Sequence, residues 1–78
     1  MSHNIKATVN ATEYPPLIKH KTIFEAYNSL SSGEAMLLVN DHDPVPLRFQ
    51  FEAIHPNEFT WEYIEQGPTT FQVVIGKI

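Results

Sequence analysis

The spacing of apolar positions changes repeatedly along the chain, and each change predicts an element. Ile5, Ala7 and Val9 alternate with Lys6 and Thr8, the period of a short half-buried strand. Asn10 to Pro16 breaks that pattern with Asn, Thr and a Pro-Pro pair, which predicts a stiff extended loop that holds off helix until after Pro16. From about Leu17 to Leu30, the residues Ile23, Tyr27 and Leu30 recur at helical spacing with Phe24 beside them. The helix start has two candidates. Thr22 with Glu25 forms a capping box, and His20 stands just ahead of a start one turn earlier. Ser31-Ser32-Gly33 ends the helix, with Gly33 available for a left-handed turn.

Ala35 to Val39 is apolar throughout, as in a strand with neighbours on both sides. It stops at Asn40-Asp41-His42-Asp43-Pro44, the densest polar cluster in the chain. Asp43 is the expected N-cap of a second helix, with Pro44 or Pro46 in its first turn and Leu47, Phe51 and Ile54 on its buried face. Pro56, just after His55, ends that helix. Phe59, Trp61 and Tyr63 then alternate with Thr60 and Glu62, Gln66-Gly67-Pro68 turns the chain, and Phe71, Val73 and Ile75 alternate again. This is the pattern of a β-hairpin whose aromatic trio meets Phe71, Val73 and Ile75 under the helices. Glu62 and Glu65 are candidates for paired carboxylates, but at a separation of three they are expected on opposite faces of the strand, both solvated.

The order β-α-β-α-β-β, with right-handed crossovers, predicts an α+β two-layer sandwich: a four-stranded mixed sheet with both helices on one face. Residues 5–78 are expected to form one domain, with residues 1–4, His3 included, as a mobile leader. In this layout the ends of the first two strands and the starts of both helices share an edge. His20, Asp41, His42 and Asp43 are therefore expected together, joined by the Gln66-Gly67-Pro68 turn if the third strand runs parallel to the second, with His55 at the opposite end. The uncovered sheet face, with Ile64 and Val74, is available for weak dimerisation; a monomer or weak dimer is expected.

Composition narrows the chemistry. A chain of 78 residues, 42% hydrophobic, is a single globular domain with a small core. The absence of cysteine excludes disulfides, thiolate metal sites and thiol chemistry. The net charge is −4 and the five Lys and Arg residues are scattered singly, so there is no stripe for nucleic acid or for an anionic membrane. No apolar run approaches the roughly 20 residues that span a bilayer, and the expected location is the cytoplasm.

His42 is not explained by helix initiation, which makes no demand for an imidazole. With His20 and Asp41 it makes a possible three-ligand metal site with an open position; the alternative is a His–Asp hydrogen bond that ties two loops together. His20 with Asp41 or Asp43 also has the form of a base with its orienting carboxylate, but no nucleophile accompanies them, and no catalytic residue is assigned. Arg48, the only arginine, is expected on the exposed side of the second helix, where it suits an anion. The candidate ligand contacts are thus His20, Asn40, Asp41, His42, Asp43 and Arg48. The candidate metal ligands are His20, Asp41 and His42.

The stretches His20-Lys21-Thr22-Ile23-Phe24-Glu25-Ala26, Val39-Asn40-Asp41-His42-Asp43-Pro44, Pro46-Leu47, Gln50-Phe51-Glu52-Ala53, Phe59-Thr60-Trp61-Glu62-Tyr63 and Glu65-Gln66-Gly67-Pro68 resemble an uncharacterised bacterial domain family related to the TusA/SirA sulfur-carrier fold. The resemblance covers nearly all of the chain from Ile5 onward. It implies sheet order 1-2-4-3 with the fourth strand antiparallel to the rest, and no established reaction. It also implies the company of hemerythrin-like or cupin proteins and a setting in redox or nitrogen-oxide metabolism. The sulfur carriers place a Cys-Pro at the start of helix one, whereas this chain has Lys19-His20-Lys21 there, so persulfide transfer does not carry over. The functions that follow are a small accessory or regulatory module binding a protein partner or small ligand, a His-based metal sensor or enzyme, or a thiol-free partner in sulfur relay.

Overall fold

A computed structural model describes residues 4–78, and the expectations for Met1 to His3 lie outside the described residues. The strands are β1 (Ile5–Asn10), β2 (Ala35–Asn40), β3 (Phe59–Gln66) and β4 (Phe71–Lys77); the helices are α1 (Pro16–Asn28) and α2 (Val45–Ile54). The sheet order is β1-β2-β4-β3, with β1 and β2 parallel and β4 antiparallel to both its neighbours. This is the mixed four-stranded sheet and the order of elements expected from the sequence.

Alternation along the strands selects the covered face. Val9, Met36, Leu38, Val73 and Ile75 point into one core with Ile23, Tyr27 and Leu30 from α1 and its exit and with Leu47 and Phe51 from α2. Phe59, Trp61 and Tyr63 pack against that cluster from β3. Phe51 stacks on Phe24 at 4.4 Å between centroids and meets Tyr27 edge-on at 5.1 Å, so the two helices are joined through aromatic rings. Ile54, expected in the core, is 59% exposed. It lies in the last turn of α2, and its ring-bearing neighbour His55, the C-cap, takes the inward position, 4.8 Å from the Tyr27 ring.

The ends of α1 depart from expectation. The segment after β1 is not plain loop: Asn10 caps a 3-10 turn over Ala11–Glu13 and buries Ala11 completely. α1 then begins at Pro16, with Pro15 in the cap position and its carbonyl accepting from Ile18 and Lys19 at 3.1 and 3.0 Å. Both proposed starts are too late, because proline at the first position is preset for helix and lacks only an N–H that had no acceptor there. Thr22 is mid-helix and donates its hydroxyl to the carbonyl of Ile18 at 2.9 Å. At the other end Ser29 stays right-handed, and Gly33, at φ +86°, belongs to the following turn. Lys77 of β4 takes over the end of α1: its ammonium donates to the carbonyls of Leu30 (2.9 Å) and Asn28 (3.4 Å) above the Tyr27 ring.

Both outer strands are irregular. The pairing of β1 skips Lys6, and that of β3 skips Ile64. The second break restarts the alternation, so Glu62 and Glu65, opposite Val74 and Gln72, share the face away from the helices rather than pointing apart. Glu65 accepts there from the Gln72 amide at 2.7 Å. Val74 points to the same face and is 1% exposed, while Ile64 at the break is 52% exposed.

Candidate functional site

β2 is an inner strand, and its last residue, Asn40, is held at 5% exposure. Its side-chain oxygen accepts from the N–H of Asp41 at 3.0 Å. That bond fixes which way the amide points, leaving its NH2 group as an available donor. Among the described residues this NH2 makes no hydrogen bond. Asn40 lines a cavity of about 50 Å³ whose other walls are Lys19, His20 and Ile23 from α1, His42 and Pro44 from the junction, and Pro46 and Leu47 from α2. His20 and His42, which the sequence order alone brings to one end, therefore share a cavity wall.

Asp41 stands behind His42. Its carboxylate lies 2.7 Å from Nδ1 of His42, and both side chains are well exposed. The hydrogen bond with His42 is the main reason that the Asp41 carboxyl titrates below the ordinary carboxylate range; slight desolvation opposes it, and the charge of Lys19 on α1 assists. This is a His–Asp hydrogen bond within the junction itself. Among the described residues no group of three or more His, Asp or Glu side chains is placed to hold a metal ion.

Asp43 is not the N-cap of α2. Pro44 occupies that position, without a side-chain cap, and accepts from the N–H of Arg48 at 3.1 Å. Pro46 is in the first turn as expected. One residue too early to cap, Asp43 instead accepts from the Tyr63 hydroxyl of β3 at 2.5 Å, while its backbone carbonyl takes the N–H of Val45. Burial, then the bond to Asp43, raises the Tyr63 phenol above its usual range; the positive charge of Arg48 pulls the other way. Trp61 Nε1 itself is sealed from solvent and makes no hydrogen bond of its own.

Arg48 belongs elsewhere. It pairs with Glu52 at 3.3 Å and lines a separate open groove of about 390 Å³ with Glu52, Pro56, Asn57, Phe59 and Trp61. The candidate set thus divides: His20, Asn40 and His42 meet in one cavity, Asp41 backs His42, Asp43 is tied to β3, and Arg48 sits in the groove between α2 and β3. His55 is at the far end of α2, 3.1 Å from Glu58. Lys19 was not among the sequence candidates. A helix starting at Pro16 puts it one turn ahead of the buried Ile23, and that spacing is the signal that an earlier start would have supplied.

The wall of the small cavity carries Lys19 and two imidazoles and no carboxylate, in a chain of net charge −4. The chain has no thiol to add. What the arrangement offers is hydrogen-bond donation and positive charge, which serve binding. A family profile described as "Uncharacterized conserved protein (DUF2249)" matches residues 8–77. No curated protein and no solved structure matches the chain.

Proposed function

The chain belongs to the DUF2249 family of uncharacterized conserved proteins, and on that premise we propose that it is a small accessory module whose His20/Asn40/His42 corner binds a ligand or a group presented by a partner protein. One observation carries the reading: a 5% exposed amide with an unused NH2 shares a cavity with imidazoles from two separate elements. Its NH2 is a donor with no protein partner among the described residues, open to whatever enters the cavity. The cytoplasmic and redox or nitrogen-oxide setting belongs to the same proposal and is supported by the resemblance to the TusA/SirA-like family. Among the described residues no helix is long and apolar enough to cross a membrane.

The test uses two exposed residues, so the fold survives the change. His42→Ala and His20→Ala are expected to keep the wild-type amide spectrum and to lose binding of small ligands and of any co-purifying partner. Binding by both variants that equals wild type removes the corner from consideration.

A further inference from the structure

Resting on that reading of the corner, we infer that the cavity takes a small oxyanion of carboxylate size, held by the Asn40 amide, Lys19 and the imidazoles of His20 and His42. Three observations converge on this class. The polar hydrogens of the Asn40 NH2 and the Lys19 ammonium on the wall are donors, and no carboxylate is part of the lining; the nearest, Asp41, is hydrogen-bonded to His42 and feels Lys19 only through its charge. The volume is about 50 Å³, and a single water needs roughly 10–15 Å³ by the same measure, so there is room for about three or four heavy atoms and no more. The remaining walls, Ile23, Pro44, Pro46 and Leu47, are apolar and carry no acceptor side chain, so nothing on them replaces the hydration of a cation.

The Asp41–His42 pair sets a condition on binding. When Nδ1 of His42 donates to Asp41, a neutral ring presents a bare lone pair at Nε2, whereas the protonated ring presents a donor. The oxyanion therefore enters with a proton on His42. Lys19 and His20 from α1 and Asp41 and Asp43 from the junction are the charged and titratable groups around that ring, with Tyr63 of β3 engaging Asp43. Lys19 and the imidazolium line the cavity while Asp41 and Asp43 stand outside its lining, so the ligand meets the positive groups first.

The experiment is a titration followed by amide and side-chain NMR, using formate, acetate and nitrite, with chloride as the ionic-strength control and tetramethylammonium as the cation control. A short peptide with a free C-terminal carboxylate, against its amide, separates a free anion from a carboxylate presented by a partner. Formate-sized anions are expected to move the Asn40 NH2 and both imidazoles saturably. Asn40→Asp keeps the oxygen that accepts from Asp41 and turns the donor into an acceptor; it is expected to weaken binding about tenfold or more. Lys19→Gln, at a less buried position, is expected to weaken it by a smaller factor and decides the matter if Asn40→Asp does not fold. Shifts no larger than those of chloride, or unchanged binding by Lys19→Gln and by a folded Asn40→Asp, overturn the oxyanion assignment. If a neutral ligand or a partner still binds in a His42-dependent way, only this inference falls. If nothing perturbs the corner, the binding reading falls with it.

Discussion

Asn40, Asp41, His42 and Asp43 are consecutive, and each gives its polar atoms to a different neighbour. Asn40 serves the backbone with its oxygen and the cavity with its nitrogen, Asp41 serves His42, and Asp43 reaches across to Tyr63. The sequence showed that these residues were crowded together, but not how they were shared out. Asp43 looked like a cap because its type favours one, and the proline that follows it took the cap position instead. The Asp41–His42 pair gives a prediction at this scale. The folded Asp41 carboxyl titrates below its ordinary value of about 3.9. Its contribution to stability is thus complete above that value and is lost as pH falls through the lower folded value. In His42→Ala, side-chain carbon NMR should find the Asp41 midpoint moved up toward the ordinary value. A midpoint that does not move would mean that Lys19, not His42, holds it down.

At the scale of elements, the apolar spacing located both helices and all four strands, because burial demands it, while the ends of α1 were set by groups that spacing does not record. A proline pair started α1, and a lysine from the last strand, distant in sequence, finished it. Lys77 meets the carbonyl of Asn28, the last residue of α1, and that of Leu30 just beyond it, and lies 5.1 Å from the Tyr27 ring centre, where a cation favours both the helix dipole and the ring face. Lys77→Met keeps the stem and removes the charge. It is expected to lower unfolding free energy by about 1 kcal/mol in urea denaturation, with α1 amides near Asn28 losing exchange protection first. A loss spread evenly over the chain would show that the charge acts on the sheet rather than on α1.

For the whole molecule, the order of elements and the right-handed crossover rule were enough to bring His20 beside His42, since neither depends on side-chain detail. The sharing of one face by Glu62 and Glu65 was illegible, because a skipped residue inside an otherwise regular alternation leaves the pattern of apolar positions intact. The two skipped residues, Lys6 and Ile64, lie one on each outer strand of the sheet. A flat outer strand is a template on which a second copy can polymerise, and an interruption there spoils the template. Deleting Ile64 should therefore leave a folded chain that pairs through one repaired border and stops at the dimer, as light scattering after gel filtration would show. Deleting Lys6 as well repairs the second border, and growth then has no stopping point, so the product should be amyloid-like fibres.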